Sequence, residues 1–326
     1  MTTASEIQTA SGVSVRPEID FLETPFNQAI KETPGMISVD ERRLLYFLSK
    51  DKFRGSGAII DGGSFLGASA VSIALGLLDK DNAQEISLNK IIKAYELGVF
   101  PAPANGREIW HEYGDVRFKR GDSFLPALRK NISPYEKLIS LREGDLGSYS
   151  WDGGKIELCF IDVCKTAELN RHVTSQFFPC LMPANSYMIN QDYFFDRLPW
   201  IKVTMGYLAE YFEWLGQVHC SSVYKCVKEI PQAVADYDPY TEASLEECLK
   251  LHDKGANHEM SEMYKLRMEI SKAYLMAYKG EKERALKQLE HTSTLFGHTM
   301  SDDADRGEMN RFRFERALRQ ITIGRM

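Results

Sequence analysis

The sequence predicts an α/β protein: a parallel sheet wound with helices, followed by an α-helical extension. Three observations carry this reading. Residues 58–75 read as a short buried strand, a glycine turn and an apolar helix. Three later strand candidates end on an acid, at Glu96, Asp162 and Asp192. Two further candidates, 213–218 and 222–229, are joined by a short turn and form a terminal hairpin.

The chain has 326 residues, more than one average domain needs. Composition divides it into a tail or loose N-terminal arm (1–33), a main domain (34–231) and a helical extension (232–326). Hydrophobic residues make up 44% and charged ones 26%, with a net charge of −6. That balance is globular and argues against a nucleic-acid partner or an anionic membrane, both of which want a basic surface. No apolar run reaches the roughly 18 residues of a membrane span. Met1 to Ser14 is polar, without a basic-then-apolar signal pattern. The six cysteines form no C-x-x-C pair, so free thiols in the cytoplasm are expected.

Taken in order, 33–38 is a turn, and 39–50 is an amphipathic helix with Leu44, Leu45, Phe47 and Leu48 inward. Ala58 to Ile60 is a strand closed by Asp61. Gly62, Gly63 and Gly67 make a turn free of Cβ clashes. From Ala68 the residues are small and apolar at helical spacing. Strand, glycine turn and helix start together form a cradle for a nucleotide cofactor. No lysine follows the last glycine, which excludes a Walker loop. Residues 90–96 are a second strand. Its terminal Glu96 suits a ribose diol, because a carboxylate accepts from both hydroxyls, and a plain surface acid is the competing reading. Residues 100–119 are irregular and aromatic, either a substrate wall or only a loop. Residues 121–130 are helical, and 138–141 are a third strand followed by Glu143-Gly144-Asp145. Lys155 to Asp162 is a strand whose alternation breaks into a continuous apolar run, as expected of one buried on both faces. Helix 167–178 leads to strand 187–192, which ends Gln191-Asp192. Tyr193, Phe194, Phe195 and Trp200 follow, as a lid or as packing, and 201–212 is helical.

The stretch Asp61-Gly62-Gly63-Ser64-Phe65-Leu66-Gly67-Ala68-Ser69 resembles motif I of class I S-adenosylmethionine-dependent methyltransferases. Asp162-Val163-Cys164-Lys165 resembles the Asp-x-x-Lys of catechol-type small-molecule O-methyltransferases. The resemblance covers 34–231. It implies a Rossmann-like sheet of seven strands in the order 3-2-1-4-5-7-6, the last antiparallel. It implies cofactor contacts from Asp61, Gly62, Gly63, Ser64, Gly67, Ser69, Glu96, Asp145 and Asp162. It implies Mg2+ or another divalent cation on Asp162, Gln191 and Asp192, and catalysis by Lys165 and Asp162. Where the family carries Asp-Asn, Glu-Asp or Asp-Asp, this chain carries Gln191-Asp192, so a metal-free form stays open. For Asp145 the competing reading is a turn residue. For Lys165 it is a salt bridge to Asp162 or Asp192.

The extension holds four helical stretches, 242–251, 258–278, 282–296 and 307–323. Lys272 to Leu286 resembles one tetratricopeptide-like hairpin, and one repeat is too few to stand alone. A homo-oligomer or partner contact through these helices is therefore expected, with Arg311, Arg313, Arg316 and Arg319 on a solvated face. The activity implied is O-methylation of a hydroxylated small molecule, a sugar or a secondary metabolite. The alternative is a non-catalytic S-adenosylmethionine-binding or scaffold protein that docks partners through its tail.

Overall fold

A computed structural model describes residues 8–10, 12–81, 87–103, 107–151 and 153–324. Residues 82–86 of the expected polar connection, 104–106 of the irregular stretch, and 1–7 and 11 of the arm lie outside the described residues. The chain forms two compact units. One takes the chain to Val163, then Gln176–Gln191 and Glu213–Ile230. The other takes Cys164–Ser175, Asp192–Phe212 and Pro231 onward.

The first unit's strands are β1 (Gln8–Ala10), β2 (Val13–Val15), β3 (Ala58–Gly62), β4 (Ile92–Glu96), β5 (Trp110–Tyr113), β6 (Val116–Lys119), β7 (Ile139–Glu143), β8 (Ile156–Ile161), β9 (Tyr187–Asn190), β10 (Phe212–Val218) and β11 (Ser221–Cys226). Its helices are α1 (Gln28–Glu32), α2 (Val39–Phe47), α3 (Ala68–Leu78) and α4 (Leu125–Ile132). Nine strands share one sheet in the order β1-β2-β10-β11-β9-β8-β3-β4-β7, and β5 and β6 form a separate hairpin. β3 runs parallel to β4 and β8, β4 to β7, and β8 to β9, whereas β11 is antiparallel to β9. All six residues of β8 are buried, and all but Glu157, whose carboxylate accepts from the Arg54 and Ser56 N–H groups, are apolar.

The strand order differs from the expected seven-stranded one. Two strands from the N-terminal arm extend the sheet beyond β10, where β2 pairs antiparallel through Gly216, Gln217 and Val218. The arm is not loose. Val13, Val15, Ile19, Phe21 and Ile30 are buried, and the Arg16 N–H donates to the Leu215 carbonyl at 2.9 Å. Nor is 100–119 irregular throughout, because the alternating residues around Gly114-Asp115 pair as β5 and β6.

α2 begins with a capping box between Ser38 and Glu41. One turn on, the buried Arg42 guanidinium donates to the carbonyls of Ile30, Thr33, Gly35 and Ile37 at 2.6–3.2 Å. That ties down the end of α1 and the loop after it, whose Gly35 lies so close to Ala68 at the start of α3 that a Cβ would sit 2.5 Å from the Ala68 methyl. Arg42→Met strips partners from these carbonyls at once. A loss of about 2 kcal/mol is expected, read as a lower urea midpoint at unchanged slope.

The second unit is helical: α5 (Ala167–Phe177, its last residues belonging to the first unit), α6 (Pro199–Tyr207), α7 (Gln232–Asp236), α8 (Pro239–Glu242), α9 (Leu245–Gly255), α10 (Glu262–Tyr278), α11 (Lys282–Phe296) and α12 (Gly307–Ile323). α10, α11 and α12 share a core of Leu266, Ile270, Ala273, Tyr274, Leu289 and Ile321. Two of the arginines expected on a solvated face are not solvated. Arg313 and Arg316 both bind the fully buried Asp196 carboxylate, at 3.1 Å and 2.7 Å. No helix among the described residues is long and apolar enough to cross a membrane.

Candidate functional site

β3 delivers Asp61 to the carboxyl edge of the sheet, and the chain then turns through Gly63 (φ 99°), Phe65 (φ 47°) and Gly67 (φ 97°) into α3. Two of these glycines are required by space as well as by φ. A Cβ on Gly63 would lie 2.8 Å from the Asp162 carbonyl oxygen, and one on Gly67 would lie 2.9 Å from Ile132. The Gly63 and Ser64 N–H groups donate to the Tyr95 carbonyl at 3.0 and 3.3 Å, which holds the turn against β4. α3 opens at Ala68 without a side-chain cap. Its first amides therefore have no intrahelical acceptor, as at any helix start.

Two carboxyls stand at this turn. Asp61 is fully buried, and its Oδ2 accepts from the Ser64 hydroxyl at 2.6 Å. Its Oδ1 meets no hydrogen-bond donor among the described residues. Burial pushes the Asp61 carboxyl up to about 6, against the Ser64 and Ser69 hydroxyls and with a further push from Glu96. Glu96 closes β4. Its Oε2 accepts from the Phe65 N–H at 2.6 Å and its Oε1 from the Gly98 N–H at 2.9 Å. Burial raises its pKa too, while these backbone donors pull it down. Glu96 is thus neither a surface acid nor an idle one: it braces the glycine turn and keeps spare lone pairs for further donors.

Sequence reasoning missed Phe65. Its left-handed backbone aims the ring at Phe100, Tyr113 and Phe124, with centroids 5.0–5.4 Å away. The aromatics of 100–119 are therefore a clamp on the turn. Their alternation around Gly114-Asp115 was the available signal.

Other expected residues sit differently. Asp145 is an exposed turn residue whose Oδ1 accepts from the Gly147 N–H at 2.9 Å. Its neighbour Glu143 is held below the usual carboxylate range by Arg129. Asp162 is half-buried, and its N–H donates to the Gly62 carbonyl at 2.7 Å. Gln191 donates its N–H to the Ile161 carbonyl at 2.9 Å, and its buried Oε1 has no partner among the described residues. In the second unit, Lys165 forms an ion pair with Asp192, itself in the left-handed region at φ 61°. The salt-bridge reading of Lys165 thus names an interaction that exists.

No protein-family model matches the chain, and no curated protein matches it.

The cradle passes a test of fit for an adenosyl cofactor: two glycines that no Cβ could replace, an uncapped helix start, and a buried carboxylate oxygen lacking a donor among the described residues. Among the described residues no group of three or more His, Cys, Asp and Glu side chains could hold an ion, and Asp192 is engaged by Lys165.

Proposed function

We propose that the protein is an S-adenosylmethionine-dependent O-methyltransferase acting on a hydroxylated small molecule. The observation that carries this is the glycine cradle flanked by two carboxyls, the buried Asp61 and the half-buried Glu96, at the ends of adjacent parallel strands. The inner strands β7-β4-β3-β8-β9-β11-β10 support it further. Renumbered in chain order they read 3-2-1-4-5-7-6, inside the longer sheet.

Bound S-adenosylmethionine supplies an electrophilic methyl on a sulfonium. The chain's residues do the rest. Asp61 Oδ1 accepts from the amino-acid end, and Glu96 accepts from the ribose hydroxyls while keeping the turn closed through Phe65. Asp162 fixes the Gly62–Gly63 backbone. An ammonium already bound to a carboxylate is no base. Lys165, paired with Asp192 in the second unit, therefore offers a positive charge rather than a base.

Calorimetry with S-adenosylhomocysteine tests the reading. Wild type binds it, and added magnesium leaves the affinity unchanged. Glu96→Ala weakens binding by about 2 kcal/mol, roughly thirtyfold, for hydrogen bonds lost to a charged acceptor. No heat with either S-adenosylmethionine or its demethylated product would sink the proposal. Binding without turnover on a panel of sugars and phenols would move it to the non-catalytic alternative.

A further inference from the structure

The helices beyond residue 231 carry out a task that the resemblance does not assign. The Trp200 indole N–H donates to the Cys164 carbonyl at 2.9 Å, one residue before Lys165. Its ring is packed by Tyr240 of α8 and Tyr278 of α10, with centroids 5.8 and 6.0 Å away.

The segment that follows Asp192 is held by the same helices. The Tyr193 hydroxyl donates to the Gly255 carbonyl at the end of α9. Phe195 lies under the guanidinium groups of Arg313 and Arg316, at 5.3 and 5.7 Å. Asp196, fully buried, takes both arginines of α12. The buried Lys202 donates to the Leu198 carbonyl at 3.1 Å and also to that of Phe195. Both members of the Lys165–Asp192 pair thus leave from backbone fixed by α8, α9, α10 and α12. A buried aspartate shared by two arginines is expensive to desolvate. It is a poor choice for stability alone and a good one for fixing a single geometry.

We propose that the C-terminal helices are a positioning device for the Lys165–Asp192 pair, with Trp200, Asp196 and Arg316 as positioning residues. The catalytic meaning of that pair rests on the proposed methyltransferase reading; the coupling itself does not.

The test is competitive acetylation of lysines in the intact chain at pH 8, read by mass spectrometry, together with hydrogen exchange over 192–198. Lys250, well exposed, serves as the internal reference. Trp200→Phe keeps an aromatic ring at the position and removes the N–H together with part of the indole. It is expected to raise Lys165 labelling relative to Lys250 at least fivefold. Arg316→Met is expected to do the same and to speed exchange in 192–198 at least tenfold, and Arg316→Lys is expected to restore most of both. Affinity for S-adenosylhomocysteine should stay within twofold in all three. Unchanged Lys165 labelling in Trp200→Phe, which keeps an aromatic side chain and is the safer variant to fold, would overturn the inference. So would a failure of Arg316→Lys to rescue. Wild type that fails to bind S-adenosylhomocysteine would remove the methyltransferase reading, whereas the labelling outcome would still decide the coupling.

Discussion

Replacing Gly206 by alanine is expected to cost the helical unit about 4 kcal/mol, beyond ordinary overpacking because backbone is what must move. Gly206 lies on α6 against α9, and a Cβ there would sit 1.8 Å from the Leu251 carbonyl oxygen. The contact is reciprocal. A Cβ on Gly255 of α9 would sit 2.3 Å from the Lys202 carbonyl. Side chains can swing away from a new methyl, but two helix backbones at this distance cannot. The helices would have to part by more than 1 Å, roughly, which forfeits much of the dispersion contact along the crossing. His252 and Lys202, both fully buried near this crossing, would lose their packing with it. Urea unfolding followed by far-ultraviolet circular dichroism checks the prediction. A Gly206→Ala protein with a wild-type midpoint would show that α6 and α9 are not in backbone contact. Gly297, with open space around its Cα, is the control and should accept alanine with little change.

Why some of this is legible in the sequence and some is not follows from the range of each signal. The β3–turn–α3 unit announces itself within eighteen residues, because the apolar run, the glycines and the helical spacing are all local. The acid at the end of β4 and the buried run of β8 are local too. The arm reads as loose because Val13-Ser14-Val15 is too short to show alternation, and its partner β10 lies roughly two hundred residues on. The arginines of α12 have a polar helical spacing that normally means solvent. Their partner Asp196 is 117 and 120 residues away, inside an aromatic run that reads as packing. Glu96 is legible as a strand-end acid, but its bond to Phe65 depends on a left-handed residue that no pattern marks. At the Lys165–Asp192 pair, spacing supplies both residues and leaves open which of two carboxylates the lysine meets.

Asp61→Asn is expected to make the fold more stable above pH 6 and the cradle worse at its task. In the folded chain burial raises this carboxyl from 3.8 to about 6. The sign follows from proton counting. Between those values the folded state binds a proton that the unfolded state has released. Stability from this group is therefore complete below about pH 4 and is lost as pH rises through about 6. A gap of roughly two units at 1.36 kcal/mol each makes the loss about 3 kcal/mol. Asparagine has nothing to ionise and keeps a similar shape beside Ser64. Its urea midpoint should hold steady between pH 4.5 and 8 relative to the wild-type decline. Glu96 titrates in both proteins and largely cancels in the difference, apart from its coupling to Asp61. Parallel pH curves for the two proteins would show that folding does not raise the Asp61 carboxyl above its unfolded value. A carboxylate kept where an amide would be more stable, with Oδ1 lacking a donor among the described residues, points to a ligand that brings one. Calorimetry at pH 8 should therefore find S-adenosylhomocysteine binding at least tenfold weaker in the more stable variant. A variant that gained stability and kept its affinity would take Asp61 out of the cofactor contacts.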